Sequence, residues 1–441
     1  YLSVTDDGAD YAHAEGAETL ASGQYSHTEG YLSKTSENAY YAHAEGEYTC
    51  VTGSAAHAEG YYTTASSNYS HAEGYRSHTL GLGSHAEGYR TLASGQTSHA
   101  EGNRTNALGI SSHAEGYRTT ASGQFSHAEG LHSEARGSGS HAEGNNTLTT
   151  GDVSHAEGYY TLASGFASHA EGYYTTASAI YSHAEGSSTQ ATAHSSHAEG
   201  SSTIASGQFS HAEGRQTLAS GNGSHAEGYQ TTSSGDYSHA EGVSNIASGD
   251  YSHAEGEQTT ASGLKSHTEG YQTTSSGDWS HAEGYATHAS GSWSHAEGQY
   301  TLAQGSYSHA EGSASIALGV GSHAEGAHTY ASGAFSHTVG YKTTASANYA
   351  HAGGKSTIAT DAYSSVIGHF NSTSSLSGQS TTDLFVIGNG TSESDRSNLV
   401  EFATDGIYID TGSLPTSDPE ILGKLYRTGS NFDELRVSLG S

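Results

Sequence analysis

Ser238-His239-Ala240-Glu241-Gly242-Val243-Ser244-Asn245-Ile246-Ala247-Ser248-Gly249-Asp250-Tyr251 is one copy of a 14-residue unit that fills most of this chain. Its histidine recurs at His43, His57, His71 and His85 and onward in steps of 14 to His351, with earlier copies at His13 and His27. A short, fixed period is the signature of a solenoid, in which each repeat is one coil stacked on the last. The unit divides into two halves of seven, each an alternating segment of five residues followed by two turn residues. Alternation at period two is strand geometry. Each coil is therefore expected to hold two short strands and two turns, a flattened two-sided β-roll. The glycine closing each segment is expected to supply the backbone freedom of a tight corner.

Parity assigns the faces. Ser, Ala and Gly of the first strand point one way and His and Glu the other; in the second strand Thr, Ala and Gly oppose a variable residue and Ser. A 14-residue coil is narrow, so the small residues are expected inside. The opposite choice would bury a His and a Glu per coil, at several kcal/mol for each charge. His and Glu then project in ladders about 4.8 Å apart per step. Of 25 repeats carrying the His, 23 carry the Glu, with Val339 and Gly353 as the exceptions. A like-charged ladder facing only water gains nothing from being repeated, whereas against a neighbouring subunit each imidazole gains an acceptor and each carboxylate a donor. The expected interface residues are His43, Glu45, His57, Glu59, His71, Glu73, His99, Glu101, His127, Glu129, His155, Glu157, His211, Glu213, His253, Glu255, His295 and Glu297. Carboxylates paired in this way predict a stability loss below about pH 4.

Composition removes several classes. The 59 glycines and net charge of −32 suit disorder, but drift in composition does not hold four residue types in phase over hundreds of positions. With 14 Lys and Arg in the whole chain, neither nucleic acid nor an anionic membrane surface is an expected partner. The lone Cys50 gives no intrachain disulfide. No stretch approaches the roughly 20 apolar residues of a spanning helix, and no signal peptide is visible; no membrane insertion is expected.

Four chemistries bear on this architecture. Metal binding by three symmetry-related His plus Glu is possible in composition, but a ladder of more than twenty equivalent ions lacks the irregular ligand set of a dedicated site. No metal and no cofactor is expected. Catalysis is not expected either, because adjacent Ser and His on a strand face opposite ways and cannot form a triad. The 31 tyrosines gather at the turns, where they stack or contact a glycan or host surface; Tyr61, Tyr75, Tyr229, Trp279 and Trp293 are the candidate receptor contacts. Rows of Thr and Ser could order water as in an ice-binding solenoid, but Leu92, Leu162, Ile204 and Leu218 interrupt them.

The 14-residue coil, reading Ser-x-Ala-x-Gly and then Thr/Ala-x-Ala-x-Gly, resembles the head repeat of trimeric autotransporter adhesins over about residues 11–368. The resemblance implies a left-handed parallel β-roll, associated as a homotrimer. The His-Ala-Glu form, with Tyr in the turns, is similar to repeats of phage and other viral fibres, and Leu414-Pro415-Thr416-Ser417-Asp418-Pro419 resembles the end of a tail-fibre protein. No membrane-barrel strand pattern and no heptad stalk follows the array, which turns the expectation toward a viral fibre. The expected organisation is an N-terminal lead-in at 1–10, the all-β roll array at 11–368, and a C-terminal β cap and trimerisation region at 369–441. The expected function is a non-enzymatic, rod-like shaft or head of a phage or viral tail fibre that attaches to a host surface, displayed on the virion or outside the cell. The alternative is the passenger head of a bacterial trimeric autotransporter adhesin, and the third is a monomeric ice- or metal-binding solenoid. A two-residue excess between His27 and His43 is read as a loop bulging over Tyr31–Tyr41.

Overall fold

The computed structural model describes residues 3–6, 8–373, 383–410, 425–427 and 435–437. They contain β-strands and turns and no helix, so none is long and apolar enough to cross a membrane as a helix. The chain forms two compact units, Tyr1–Gln230 and Thr231–Ser441.

In the first unit a typical coil contributes a five-residue strand, His71–Tyr75, and a two-residue strand, His78–Thr79. Each strand pairs in parallel with its counterpart one coil on. His71 lies beside His85, Ala72 beside Ala86 and Gly74 beside Gly88, while on the opposite sheet Leu92 lies beside Asn106 and Ala93 beside Ala107. The second unit repeats the scheme, with His267 beside His281 and Leu302 beside Ile316. The result is a parallel β-solenoid with 14-residue coils.

The interior holds most of the small-residue set that parity assigned to it, the Ser and Ala of the first strand and the Thr and Ala of the second; the first-strand glycines, such as Gly60 and Gly74, are exposed instead. Ala65 and Ala72, one from each sheet, are both fully buried, as are their equivalents along each unit. A buried methyl contributes only about 0.8 kcal/mol, so the coil depends on its backbone ladder and on satisfying the polar atoms it hides. The first-strand Ser does this locally: Ser84 Oγ donates to the Gly81 carbonyl at 2.7 Å, and Ser98 Oγ to that of Gly95 at 2.8 Å. Short acids and amides tie coil to coil at the following turn. Asp152 Oδ1 accepts from the Ser138 N–H at 2.8 Å, and Asn348 Oδ1 from the Ala334 N–H at 2.9 Å.

The corners differ from the sequence expectation. Left-handed backbone falls on the residue before the Ser, such as Tyr69 (φ 60°) and Trp293 (φ 62°), and on the second residue after the first-strand glycine, such as Tyr62 (φ 56°) and Arg76 (φ 58°). The first-strand glycines also hold positive φ, between 94° and 117°, as expected, and they meet a second demand, the close approach of neighbouring coils. A Cβ on Gly144 (φ 108°) would stand 2.3 Å from the Gly158 carbonyl oxygen, and one on Gly95, whose φ is not left-handed, 1.8 Å from that of Gly109. Left-handed corners are thus held mostly by non-glycine residues, at about 1–2 kcal/mol each, while the first-strand glycine serves both its own positive φ and the contact with the next coil.

The insertion after His27 is narrower than expected. Lys34 and Thr35 remain paired with Cys50 and Val51, and His27 with His43; the two extra residues therefore fall between Thr35 and His43. In the second unit Asp383–Asn389 takes the place of a further coil, pairing in parallel with Ser365–His369. It then pairs antiparallel with Asn398–Ala403, which pairs with Gly406–Ile409. Arg396 fastens this hairpin, its guanidinium donating to the Ser356 carbonyl at 2.7 Å. The run 414–419 lies outside the described residues.

Candidate functional site

The longest uniform surface of each unit is the outer face of the five-residue strands. It carries His and Glu because alternation turns them away from the alanines, and register stacks each on its own kind. The imidazoles lie face to face: His43 and His57 have ring centroids 4.6 Å apart and planes 5° apart, and His127 and His141 4.7 Å and 1°. Most imidazoles also face a carboxylate on their own strand, with Nε2–Oε2 distances of 3.6 Å for His71–Glu73 and 3.7 Å for His295–Glu297. Some reach the preceding coil as well, as His141 does to Glu129 at 3.4 Å and His253 to Glu241 at 3.9 Å. Both side chains keep about a third of their surface exposed.

Stacking and partial burial set the protonation. His57, His85, His113, His197 and His281 are pushed below the ordinary imidazole value, first by burial and then by neighbouring imidazoles. The glutamates share protons along their ladder. A neutral carboxyl can donate its O–H to the carboxylate of the next coil, so one partner rises and the other falls. Glu129 is pushed up to about 7, chiefly through its hydrogen bond with Glu115, which is lowered by the same bond. In the second unit Glu255 and Glu283 both rise to about 7 while Glu269 and Glu297 fall. This relieves the like-charge repulsion of the ladder within one chain. It also moves part of the carboxylate titration toward neutrality, away from the single step below pH 4 expected of simple pairs.

The same geometry bears on metal binding. His57, Glu59 and His71 place ligand atoms within 4.8 Å of one another, and the grouping recurs along the array. Yet the two rings are 4.7 Å apart and 3° from parallel, so their lone pairs run side by side. One ion cannot lie in both ring planes unless a ring turns. Catalysis fares no better: Ser70 Oγ points inward and donates to the Ser67 carbonyl at 2.7 Å, on the far side of the strand from His71.

All eighteen His and Glu interface candidates lie on this outer face. The five candidate receptor rings do not form one patch. Tyr61 and Tyr75 stack at 5.1 Å where the first strand ends, and Tyr229 occupies the same corner beneath Arg215, whose Cζ is 5.4 Å from the ring centroid. Trp279 and Trp293 stack at 4.8 Å on the other corner, in the second unit, both more than 40% exposed. Sequence reading passed over Arg76, Arg90, Arg104 and Arg118, although their spacing of 14 was visible.

Among the described residues the chain is a helix-free parallel roll with an alanine interior and a repeated polar face. The YadA head domain repeat matches residues 198–224, 296–322 and 310–336, so the coils over those residues are similar to that head repeat. No curated protein sequence matches the chain. A solved structure from Desulfovibrio desulfuricans G20, named as an acetyltransferase, aligns at 9% identity and a TM-score of 0.08 over 74% of this chain and 63% of its own length. The chain therefore covers less than two thirds of that protein, and so weak a likeness carries no argument.

Proposed function

We propose that this chain is the head of a homotrimeric, non-enzymatic surface adhesin of the trimeric autotransporter type, displayed outside the cell. The observation that carries the reading is the match of its coils to the YadA head repeat. The uniform His–Glu face supports it. Half-buried in one chain, this face offers a flat and self-similar surface that a second copy can cover, pressing each carboxylate onto its imidazole. Adhesion falls to exposed corner rings such as Trp279 and Trp293, and to Tyr61, Tyr75 and Tyr229, which suit a host receptor or glycan. A viral tail fibre built from the same roll is the second reading, favoured by His and Glu standing where the autotransporter repeat has an apolar pair.

Light scattering after size exclusion tests the assembly. A mass three times the 45.4 kDa of the chain is expected; the monomer mass overturns the trimer. Antibody labelling of intact cells and virions separates the two settings, since an autotransporter head must label the bacterial surface.

A further inference from the structure

Four consecutive coils carry arginine at the same corner: Arg76, Arg90, Arg104 and Arg118. All four have left-handed backbone, with φ between 57° and 59°. Arginine has no preference for that conformation; glycine, Asn and Asp enter it far more readily. The backbone alone therefore does not account for the choice. Coil-to-coil hydrogen bonds hold the column in line, the Arg90 N–H donating to the Tyr75 carbonyl at 2.8 Å and the Arg104 N–H to that of Tyr89 at 2.8 Å. The guanidinium groups thus follow one another at about one strand spacing, 4.8 Å.

These are four of only 14 Lys and Arg in a chain of net charge −32, and they stand in single file. Among the described residues the ion pairs made by Lys or Arg are Arg136–Glu134 and Lys342–Glu393; the column makes none. Three of its members are exposed and Arg104 is half-buried. What they touch is aromatic. Arg76 lies 5.4 Å from the ring centroid of Tyr75, Arg90 5.3 Å from that of Tyr89, and Arg118 5.4 Å from that of Tyr117. Tyr75 and Tyr89 themselves stack at 5.0 Å. Like charges repeated at this spacing repel one another, and among the described residues no carboxylate forms an ion pair with them.

We infer that the Arg76–Arg118 corner is a binding strip for a linear acidic polysaccharide. A polymer bearing one carboxylate or sulfate per sugar presents anions in single file, which forked guanidinium groups bind bidentately. The C–H faces of its sugars suit the adjoining tyrosine rings. Nucleic acid fits less well, because the charge of a duplex is packed more densely along its axis than the arginines are.

The test uses the full chain with polygalacturonate, dextran sulfate, neutral dextran and duplex DNA as probes. Binding to polygalacturonate or dextran sulfate but not to dextran is expected, and the stronger of the two identifies the acid group. Affinity should fall with salt at a log–log slope of about −3, given four contacts at roughly 0.7–0.9 each. The quadruple variant R76Q/R90Q/R104Q/R118Q should bind at least about tenfold more weakly with the slope near zero. R90Q and R104Q alone should each cost about two- to threefold, which keeps the test valid if the quadruple variant does not fold. No binding by the wild type, full affinity in the variants, or equally tight binding of DNA would overturn the inference. It rests on the adhesin reading only for its setting. A monomer that binds polygalacturonate refutes the trimer alone, and a trimer that does not refutes only the strip.

Discussion

Two glycines in one coil separate the roles of corner and contact, and substituting each by alanine measures the difference. Gly139 (φ 63°) has nothing within 4 Å of where its Cβ would lie, and the same corner carries Phe125 and Val153 in neighbouring coils at φ 58° and 56°. Gly139→Ala should therefore cost only the left-handed backbone term, about 1 kcal/mol. Gly144 (φ 108°) adds a steric term, because its Cβ would meet the Gly158 oxygen at 2.3 Å and the Gly158 nitrogen at 2.9 Å. Both neighbours are backbone and cannot rotate away, so the coils must part. Overpacking of this kind costs about 1–3 kcal/mol on top of about 1–3 for the backbone, a total near 4 kcal/mol. In a solenoid the loss stays with the coils that share the contact. The assay is native-state hydrogen exchange of peptides covering His141–Asn145 and His155–Tyr159, which pair directly across that contact. Protection there should fall about a hundredfold further in Gly144→Ala than in Gly139→Ala, from a difference near 3 kcal/mol. Equal losses, or a greater loss from Gly139→Ala, would refute the claim that contact with the next coil adds to the backbone demand on the first-strand glycine.

The depressed histidines, His57, His85, His113, His155 and His281 among them, contribute stability that is full above the ordinary imidazole value near 6.5 and is lost as pH falls below it. The raised carboxyls Glu129, Glu199, Glu255 and Glu283 act in the opposite sense, their contribution fading as pH rises through about 7. The two sets oppose one another between pH 7 and pH 5.5. Below about pH 4.5 the carboxyl gain is complete and the lowered Glu115, Glu213, Glu269 and Glu297 lose their contribution, so the melting temperature should fall there; a rise between about pH 4.5 and pH 3 would contradict the paired ladder. Thr175→Val removes a fully buried hydroxyl that has no hydrogen-bond partner, and should raise stability to urea by about 1 kcal/mol, with a loss of that size counting against an unpaired hydroxyl. Asn245→Ala should cost about 2–4 kcal/mol, because the Asn245 amide donates to the Gly256 carbonyl at 2.7 Å and its oxygen accepts from the Thr259 N–H at 2.8 Å; a neutral substitution in the same melts would show those bonds to be dispensable.

What alternation encodes was legible from residue types alone. The side on which Ala72, His71 and Glu73 lie follows from parity, and the pairing of each coil with the next follows from the period. What depends on closure in three dimensions was not. No pattern in the string announces that Tyr62 and Arg76 hold left-handed backbone, because turn chemistry names glycine for that duty and here glycine is reserved by the next coil. Proton sharing between Glu115 and Glu129 depends on carboxyls meeting across coils, which counting charges along one strand treats as repulsion. The strand Asp383–Asn389 continues the first sheet without the His-Ala-Glu pattern; its apolar Leu384-Phe385-Val386-Ile387 reads as a change of character rather than as one more rung.

Perfect register has a consequence for heredity. Because His71 meets His85 and Ala72 meets Ala86, and the next pair meets on the same terms, a gene that loses or duplicates 14 codons creates a junction chemically equivalent to those already present. The number of coils is free to drift by recombination between near-identical segments, with no compensating substitution required. Features that span several coils, such as the four arginines, are the ones such events would erase or lengthen first.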